Sequence, residues 1–178
     1  TITRAAIFMP KSPPMLAEFR RAHPGVTIEL LVTDRAQDLL RKDADLAIRM
    51  TRPTQQALVA RRLSRIELGL FAHPRYLRRH GTPATLDELH EHSLIGFDQE
   101  PPYVRTLRPG HLPWTRELFA LRTDHQLAAL AAMRAGYGIG ICQAPLAARA
   151  PKLVRLLPRE LSIPMECWVV MHEDLRRQ

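Results

Sequence analysis

Across residues 1–50 short apolar runs alternate with helix-like stretches, and that alternation limits the possible folds more than any other feature. Thr1–Ala6 reads as a strand. In the segment "IFMPKSPPMLAEFRRAH", Pro13 and Pro14 suit the first turn of a helix with Ser12 as its cap. Met15, Leu16 and Phe19 then share one face, and Glu18, Arg20 and Arg21 the other. His23-Pro24-Gly25 stops this helix before the β-branched strand Val26–Val32. Asp34 to Lys42 reads as an amphipathic helix with Ala36, Leu39 and Leu40 inward, and Ala44–Met50 as a third strand. A strand that returns through a helix to lie beside its predecessor builds a parallel sheet.

Two further β-like segments, Leu58–Leu63 and Ile66–Ala72, lead into a second set of elements. "HPRYLRRHG" is a short helix stopped by Gly81, and "TPATLDELHEH" a second helix capped by Thr85. The strand "SLIGF" follows, then a Pro-rich polar excursion from Asp98 to Glu117. Leu118–Thr123 is a strand and Asp124–Ala135 a helix with Leu127, Leu130 and Ala131 on one face. Ile139–Cys142, Val154–Leu157 and Cys167–Met171 complete the strands. The expectation is two βα lobes joined through Leu58–Ala72, with a ligand held at the carboxyl ends of strands.

The segment "RAGYGIGICQ" has glycines at positions 136, 138 and 140, spaced almost as in a nucleotide-binding loop. A phosphate-binding fingerprint needs strand, glycines and helix in that order. Here the order is helix, glycines, strand, and no Lys-Ser or Lys-Thr pair follows. Gly136 instead reads as the left-handed residue that ends a helix, and Gly138 and Gly140 as places where backbone passes close to a neighbour.

Other chemistries find little support. The sequence has neither the G-x-S-x-G nucleophile pattern nor H-E-x-x-H. His90 and His92, in "HEHS", have no third ligand at a predictable spacing, so no metal or other cofactor is expected. The two cysteines, Cys142 and Cys167, lie in apolar runs and read as buried free thiols in a reducing compartment. No apolar run approaches the roughly 18 residues of a membrane helix, and no export leader opens the chain. The net charge of +8 invites nucleic acid as a partner, but the arginines fall in scattered pairs with carboxylates between them. No aromatic-studded basic strand or recognition helix accompanies them, so direct DNA binding by this chain is not expected.

What remains is a set of polar residues at strand ends. Ser12 follows the first strand, Thr33 the second, and Arg49 and Thr51 close the third. Phe97 and Asp98 follow "SLIG", and Thr123-Asp124-His125 stand where a strand feeds a helix N-terminus. Helix N-termini favour anionic groups such as carboxylates.

The segments "PPMLAEFRRAHPGVTIELLVTD", "LLRKDADLAIRM", "LVARRLSRIELGLFAHPRYLRRHGTPATLDELHEHSLIGF" and "AAMRAGYGIGICQAPLA", followed by "LVRLL", carry a resemblance. In order, from about Ile2 to Met171, the chain resembles the effector-binding domain of LysR-type bacterial transcriptional regulators. The resemblance implies an α/β, two-lobed fold like that of type 2 periplasmic binding proteins, each lobe a mostly parallel sheet flanked by helices, with two crossover strands. Lobe I would comprise residues 1–64 and 172–178, and lobe II residues 65–171. Carried over, the family's ligand contacts fall on Lys11, Ser12, Thr33, Met50 and Thr51, and on Phe97, Asp98, Thr123, Asp124 and His125.

In the family a winged helix-turn-helix and a linker helix precede this domain and carry DNA binding and dimerisation. This chain shows no such motif, so the resemblance implies a cytoplasmic sensing domain that meets DNA only through that N-terminal domain. It would bind a small-molecule effector, expected to be an anionic metabolite, and act within a homodimer or homotetramer, without enzymatic activity or membrane association. The chain departs from the family pattern in the proline-laden "IFMPKSPP", where members often have a Ser/Thr-bearing loop. The helix that usually follows the second crossover is expected to be missing or cut short. Two other classes compete: a solute-binding protein of a transport system with the same architecture, which needs an export signal upstream, and an enzyme on a two-lobed scaffold, which needs a catalytic constellation.

Overall fold

The computed structural model describes residues 2–7, 12–31, 45–50, 52, 58–100, 115–149 and 153–172. They divide into two compact units, unit 1 comprising Thr1–Ile66 with Met165–Gln178 and unit 2 Glu67–Pro164.

In unit 1, β1 (Ile2–Ile7) lies parallel to β2 (Thr27–Leu31) and to β3 (Leu46–Arg49). Helix α1 (Ser12–Ala22) makes the crossover from β1 to β2, with the proline pair in its first turn as the sequence requires. The amphipathic helix expected at Asp34 to Lys42 lies outside the described residues. The long strand β9 (Ile163–His172) closes this sheet antiparallel to β3, pairing Leu46 with Met171 and Arg49 with Trp168. Ala47, Leu58 and Val170 form the unit 1 core, with Trp168 packed on it.

The two β segments read from residues 58–72 are one strand, β4 (Leu58–Ala72). Ser64 and Arg65, which divide them in the sequence, lie within an exposed stretch of continuous backbone, Arg61–Arg65. Solvent, and the ion pair of Arg62 with Glu166 at 3.1 Å, accept these arginines, so the apolar pattern breaks while the strand does not. β4 and β9 are hydrogen-bonded neighbours, and both run from one unit to the other.

In unit 2, β5 (Leu94–Gly96) is the middle of a parallel trio with β6 (Phe119–Arg122) and β7 (Ile139–Gln143). β4 runs antiparallel to β7, and the short β8 (Val154–Leu156) antiparallel to β4. Two apolar clusters form the core. One gathers Leu70, Tyr76, Leu94, Phe119, Ile139 and Leu161, and the other Phe71, Ile95, Leu130, Met133, Cys142 and Ala147. Tyr76 comes from α2 (Pro74–His80) and Leu130 and Met133 from α3 (Gln126–Ala135), so each helix turns one stripe onto the sheet.

The glycines behave as the sequence suggests. Gly136 ends α3 at φ 76° and ψ 32°, its N–H returning to the carbonyls of Ala132 and Met133. A Cβ on Gly138 would stand 2.0 Å from the Ser93 carbonyl oxygen, which accepts the Ile139 N–H at 2.9 Å. Between Leu94 and Ile95 the register slips so that Ala120 has no partner on β5. The Tyr137 hydroxyl donates to that residue's carbonyl at 2.9 Å, supplying the bond the bulge removes.

Three local readings need correction. The helix expected in "TPATLDELHEH" is a single 3-10 turn, Asp87–Glu91. Thr85 accepts the Glu88 N–H at 3.4 Å and the Glu88 carboxylate takes the Ala84 N–H at 2.8 Å, but the cap position is Leu86, whose side chain makes no cap bond, so Thr85 is not the cap the sequence suggests. Leu118 belongs to a 3-10 turn, Arg116–Leu118, before β6. The helix expected from Asp124 starts two residues later, because His125 holds the cap position with extended backbone. A five-residue helix, α4 (Ala144–Ala148), was not anticipated; it is too short to show a period.

Candidate functional site

The carboxyl ends of β5 and β6 lie side by side because the two strands are parallel neighbours, and the Thr123 N–H donates to the Gly96 carbonyl at 2.9 Å where they finish. Beyond that bond the chain places Phe97 and Asp98 on one side and Thr123, Asp124 and His125 on the other. The two branches are tied by charge and hydrogen bonds. Asp124 Oδ1 accepts the backbone N–H groups of Asp98 at 2.9 Å and Gln99 at 3.0 Å. Arg116 holds Asp98 Oδ1 through both Nε, at 3.0 Å, and Nη2, at 2.6 Å, and its Nε also reaches the Asp98 carbonyl at 3.2 Å.

Each carboxylate at this edge thus has partners within the unit: Asp98 a guanidinium, and Asp124 two backbone amides. Thr123 Oγ1 accepts the His125 N–H at 3.1 Å, which leaves the hydroxyl hydrogen as a donor. His125 caps α3, its Nδ1 accepting the Ala128 N–H at 3.3 Å. This assigns the proton of a neutral ring to Nε2. Chemically, the edge offers a hydroxyl donor, an imidazole and a helix N-terminus.

Phe97 differs from its neighbours. It is half-buried, meets Phe119 edge-to-face at a centroid separation of 5.0 Å, and packs against the first core cluster. In unit 1, Met50 follows β3 and is buried, and Ser12 is the first residue of α1. Lys11, Thr33 and Thr51 lie outside the described residues. Two residues at this edge escaped the sequence reading. Arg116 sits in a polar excursion where nothing marks one arginine from another. Gln143 ends β7 as a polar residue with only 4% exposure; the strand-end logic that selected Thr123 applies equally to it.

The electrostatic surroundings are quiet. Burial pushes the Cys142 thiol up to about 11, so it stays protonated and unreactive; Cys167 is likewise a buried free thiol. Glu117 is held below the ordinary carboxylate range by its own backbone N–H and then by Thr115. Among the described residues, no group of three or more His, Cys, Asp or Glu side chains is placed to hold a metal ion. Nor is any helix among them long and apolar enough to cross a membrane.

The sequence matches the family profile described as the LysR substrate binding domain over residues 10–178. The chain belongs to this family. Among curated relatives, the domain is 29% identical over 166 residues to the uncharacterized HTH-type transcriptional regulator YhjC of Escherichia coli, covering 88% of this chain and 55% of that protein. It is 32% identical over 129 residues to the probable HTH-type transcriptional regulator LtrA of Klebsiella pneumoniae, covering 71% and 42%. The domain spans about half the length of the curated relatives it matches most fully. Among solved structures, the CrgA regulatory domain of Neisseria meningitidis superposes with a TM-score of 0.80 at 24% identity, covering 100% of this chain and 92% of that one. The AphB regulatory domain of Vibrio vulnificus gives 0.73 at 21%, covering 99% and 96%. The LysR domain therefore has the two-lobed, periplasmic-binding-protein-like α/β fold of those regulatory domains.

Proposed function

We propose that this LysR domain is the sensing part of a cytoplasmic, non-enzymatic transcriptional regulator, and that it binds a small anionic metabolite with the polar edge of unit 2. The family match over residues 10–178 carries the reading. Thr123, Asp124 and His125 frame the N-terminus of α3, where backbone dipoles favour a carboxylate, and the Arg116 guanidinium on Asp98 offsets part of the repulsion such a ligand would meet. Phe97 and Met50 supply apolar surface, and Lys11, Ser12, Thr33 and Thr51 belong to the same proposed set of effector contacts. Effector binds one arrangement of the regulator better than another, within a homodimer or homotetramer, and so shifts the DNA contacts made by an N-terminal helix-turn-helix domain. A coupling of about 1–3 kcal/mol is sufficient for such a switch.

The test is a thermal-shift screen of small carboxylates against this chain, repeated with Thr123→Ala and Thr33→Ala. A carboxylate that raises the melting temperature of the parent and not of the Thr123→Ala variant supports the reading. A ligand that stabilises both variants as strongly as the parent removes these residues from the site. Saturable, operator-selective DNA binding by this chain alone would overturn the assignment of DNA contact to a separate domain.

A further inference from the structure

We propose that Arg52, held over the indole of Trp168, receives the carboxylate of the effector in unit 1; this rests on the effector-binding function proposed above. The guanidinium carbon of Arg52 stands 5.5 Å from the centroid of the Trp168 ring, within the range of a cation–π contact. Arg52 is exposed, and among the described residues no carboxylate pairs with it. A π face fixes the position of a charge but supplies no oxygen acceptor. The guanidinium therefore keeps a fork of N–H donors to offer a ligand.

The surrounding sheet explains why this charge is not quenched. Glu166, Trp168 and Val170 alternate along β9 and so share a face, and Trp168 packs with Val170 on the Ala47–Leu58 core. Glu166 is the acid beside Trp168 on that face, and both of its oxygens are engaged. Oε1 accepts from Arg62 at 3.1 Å, and Oε2 accepts from the indole Nε1 at 3.2 Å. The second bond, with the packing on the core, fixes the indole over which Arg52 lies. The first commits the carboxylate to a different arginine.

Trp168 pairs with Arg49, the last residue of β3. β3 runs parallel to β1, and β1 parallel to β2, so this pair marks the carboxyl edge of the parallel strands of unit 1. Arg52 follows Met50 and Thr51 just beyond it. Open α/β sheets take their ligands at this edge. A planar guanidinium meets a carboxylate through two parallel N–H···O bonds, which a compact ammonium cannot do. Phosphate offers the same two-oxygen geometry. A single guanidinium with the Glu166 carboxylate close to its platform suits a monoanionic group better than a dianion, so the group taken is a carboxylate.

Benzoate, succinate and phenyl phosphate, titrated at constant ionic strength into the parent, Arg52→Gln, Arg52→Lys and Thr123→Ala, test this. Thermal shift and calorimetry read affinity. The chain has two tryptophans, so in a Trp114→Phe background the emission reports on Trp168 alone. The parent should bind a carboxylate with a saturable change in Trp168 emission whose midpoint matches the calorimetric one. Arg52→Gln changes an exposed side chain and should leave the melting temperature of the free chain unaltered. It should weaken that binding at least tenfold and abolish the emission change. Arg52→Lys, which keeps the charge without the fork, should restore only part of the affinity; parental affinity there overturns the role of the fork. If Arg52→Gln binds the carboxylate as tightly as the parent while Thr123→Ala does not, the inference falls and the proposed function stands. If Thr123→Ala binds as the parent does and Arg52→Gln does not, the inference stands and the polar edge of unit 2 leaves the site. Tighter binding of phenyl phosphate than of either carboxylate overturns the ligand class. If no probe binds the parent, the anionic effector class fails, and the role of Arg52 falls with it.

Discussion

Gly138 and Gly140 stand two residues apart on the same short stretch, yet adding one methyl to each should have very different costs. At Gly138 the new Cβ would lie 2.0 Å from the Ser93 carbonyl oxygen and 2.9 Å from its carbon, both backbone atoms. That carbonyl accepts the Ile139 N–H, so it cannot retreat without breaking a bond that joins β7 to the residue before β5. At Gly140 the nearest atom, at 2.9 Å, is the Met133 sulfur, the flexible part of a side chain that re-packs easily. Overpacking commonly costs about 1–3 kcal/mol, and an obstacle that cannot move belongs at or above the top of that range. We therefore expect Gly138→Ala to cost about 3 kcal/mol or more and Gly140→Ala about 1 kcal/mol. For a chain of this length the melting temperatures should fall by about 6–12 °C and about 2–4 °C. Urea unfolding of both variants, read by circular dichroism with m-values compared, separates a stability change from a changed denatured state. A Gly140→Ala variant as costly as Gly138→Ala would refute the assignment of a backbone obstacle at one site and a yielding side chain at the other.

Four further outcomes are expected. Tyr76→Phe should cost about 1–3 kcal/mol, because the hydroxyl accepts the Ser93 N–H at 2.8 Å and pairs with His92 Nδ1 at 3.2 Å; chemical denaturation measures it. Desolvation holds His92 below its ordinary value of 6.5, opposed by Glu91 and Glu88. The folded state thus gives up this proton more readily than the unfolded chain, and His92 adds stability above about pH 6.5 that is lost as pH falls through the folded value. Melting temperature should accordingly decline less between pH 7.5 and pH 5 in His92→Gln than in the parent. Glu67 is lowered by its bonds to Arg155 and Ser162, so its contribution is present above about pH 4.5 and disappears at lower pH. Acid titration of Glu67→Gln should show a flatter acid limb. The thiols should react with a colorimetric disulfide reagent only after denaturation, since both cysteines are buried and that of Cys142 is raised to about 11; prompt reaction of the native chain would contradict their burial.

Much of this architecture was legible because a single residue sometimes fixes backbone geometry by itself. Gly136 and Gly81 mark helix ends through their positive φ, and the helix-then-glycine order excluded a phosphate loop. Thr123-Asp124-His125 was recognisable as a strand-to-helix junction because β-branched and capping residues follow one another there. Features that depend on distant parts of the chain were hidden. The exposed arginines of β4 imitate a loop until Glu166 is seen beside them. No local signal distinguishes Arg116, whose partner Asp98 lies across a long excursion, from any other arginine near it. The burial of Gln143 is local enough to anticipate from "GIGICQ", but its unpaired oxygen is a property of neighbours from other strands.

The Asp98–Arg116 pair, with Asp124 holding the amides of Asp98 and Gln99, fastens both ends of the excursion to the sheet at one point. Closing a longer loop costs little once its ends are fixed, about 0.6 kcal/mol for each doubling of length. Gln99 and Arg116, held at the clamp, are therefore natural flanking points for foreign sequence. A fluorescent reporter or an affinity peptide inserted there would hang from a clamp that already holds the strand ends in register. Because the clamp abuts the proposed effector contacts, such a reporter would stand beside the event it is meant to detect.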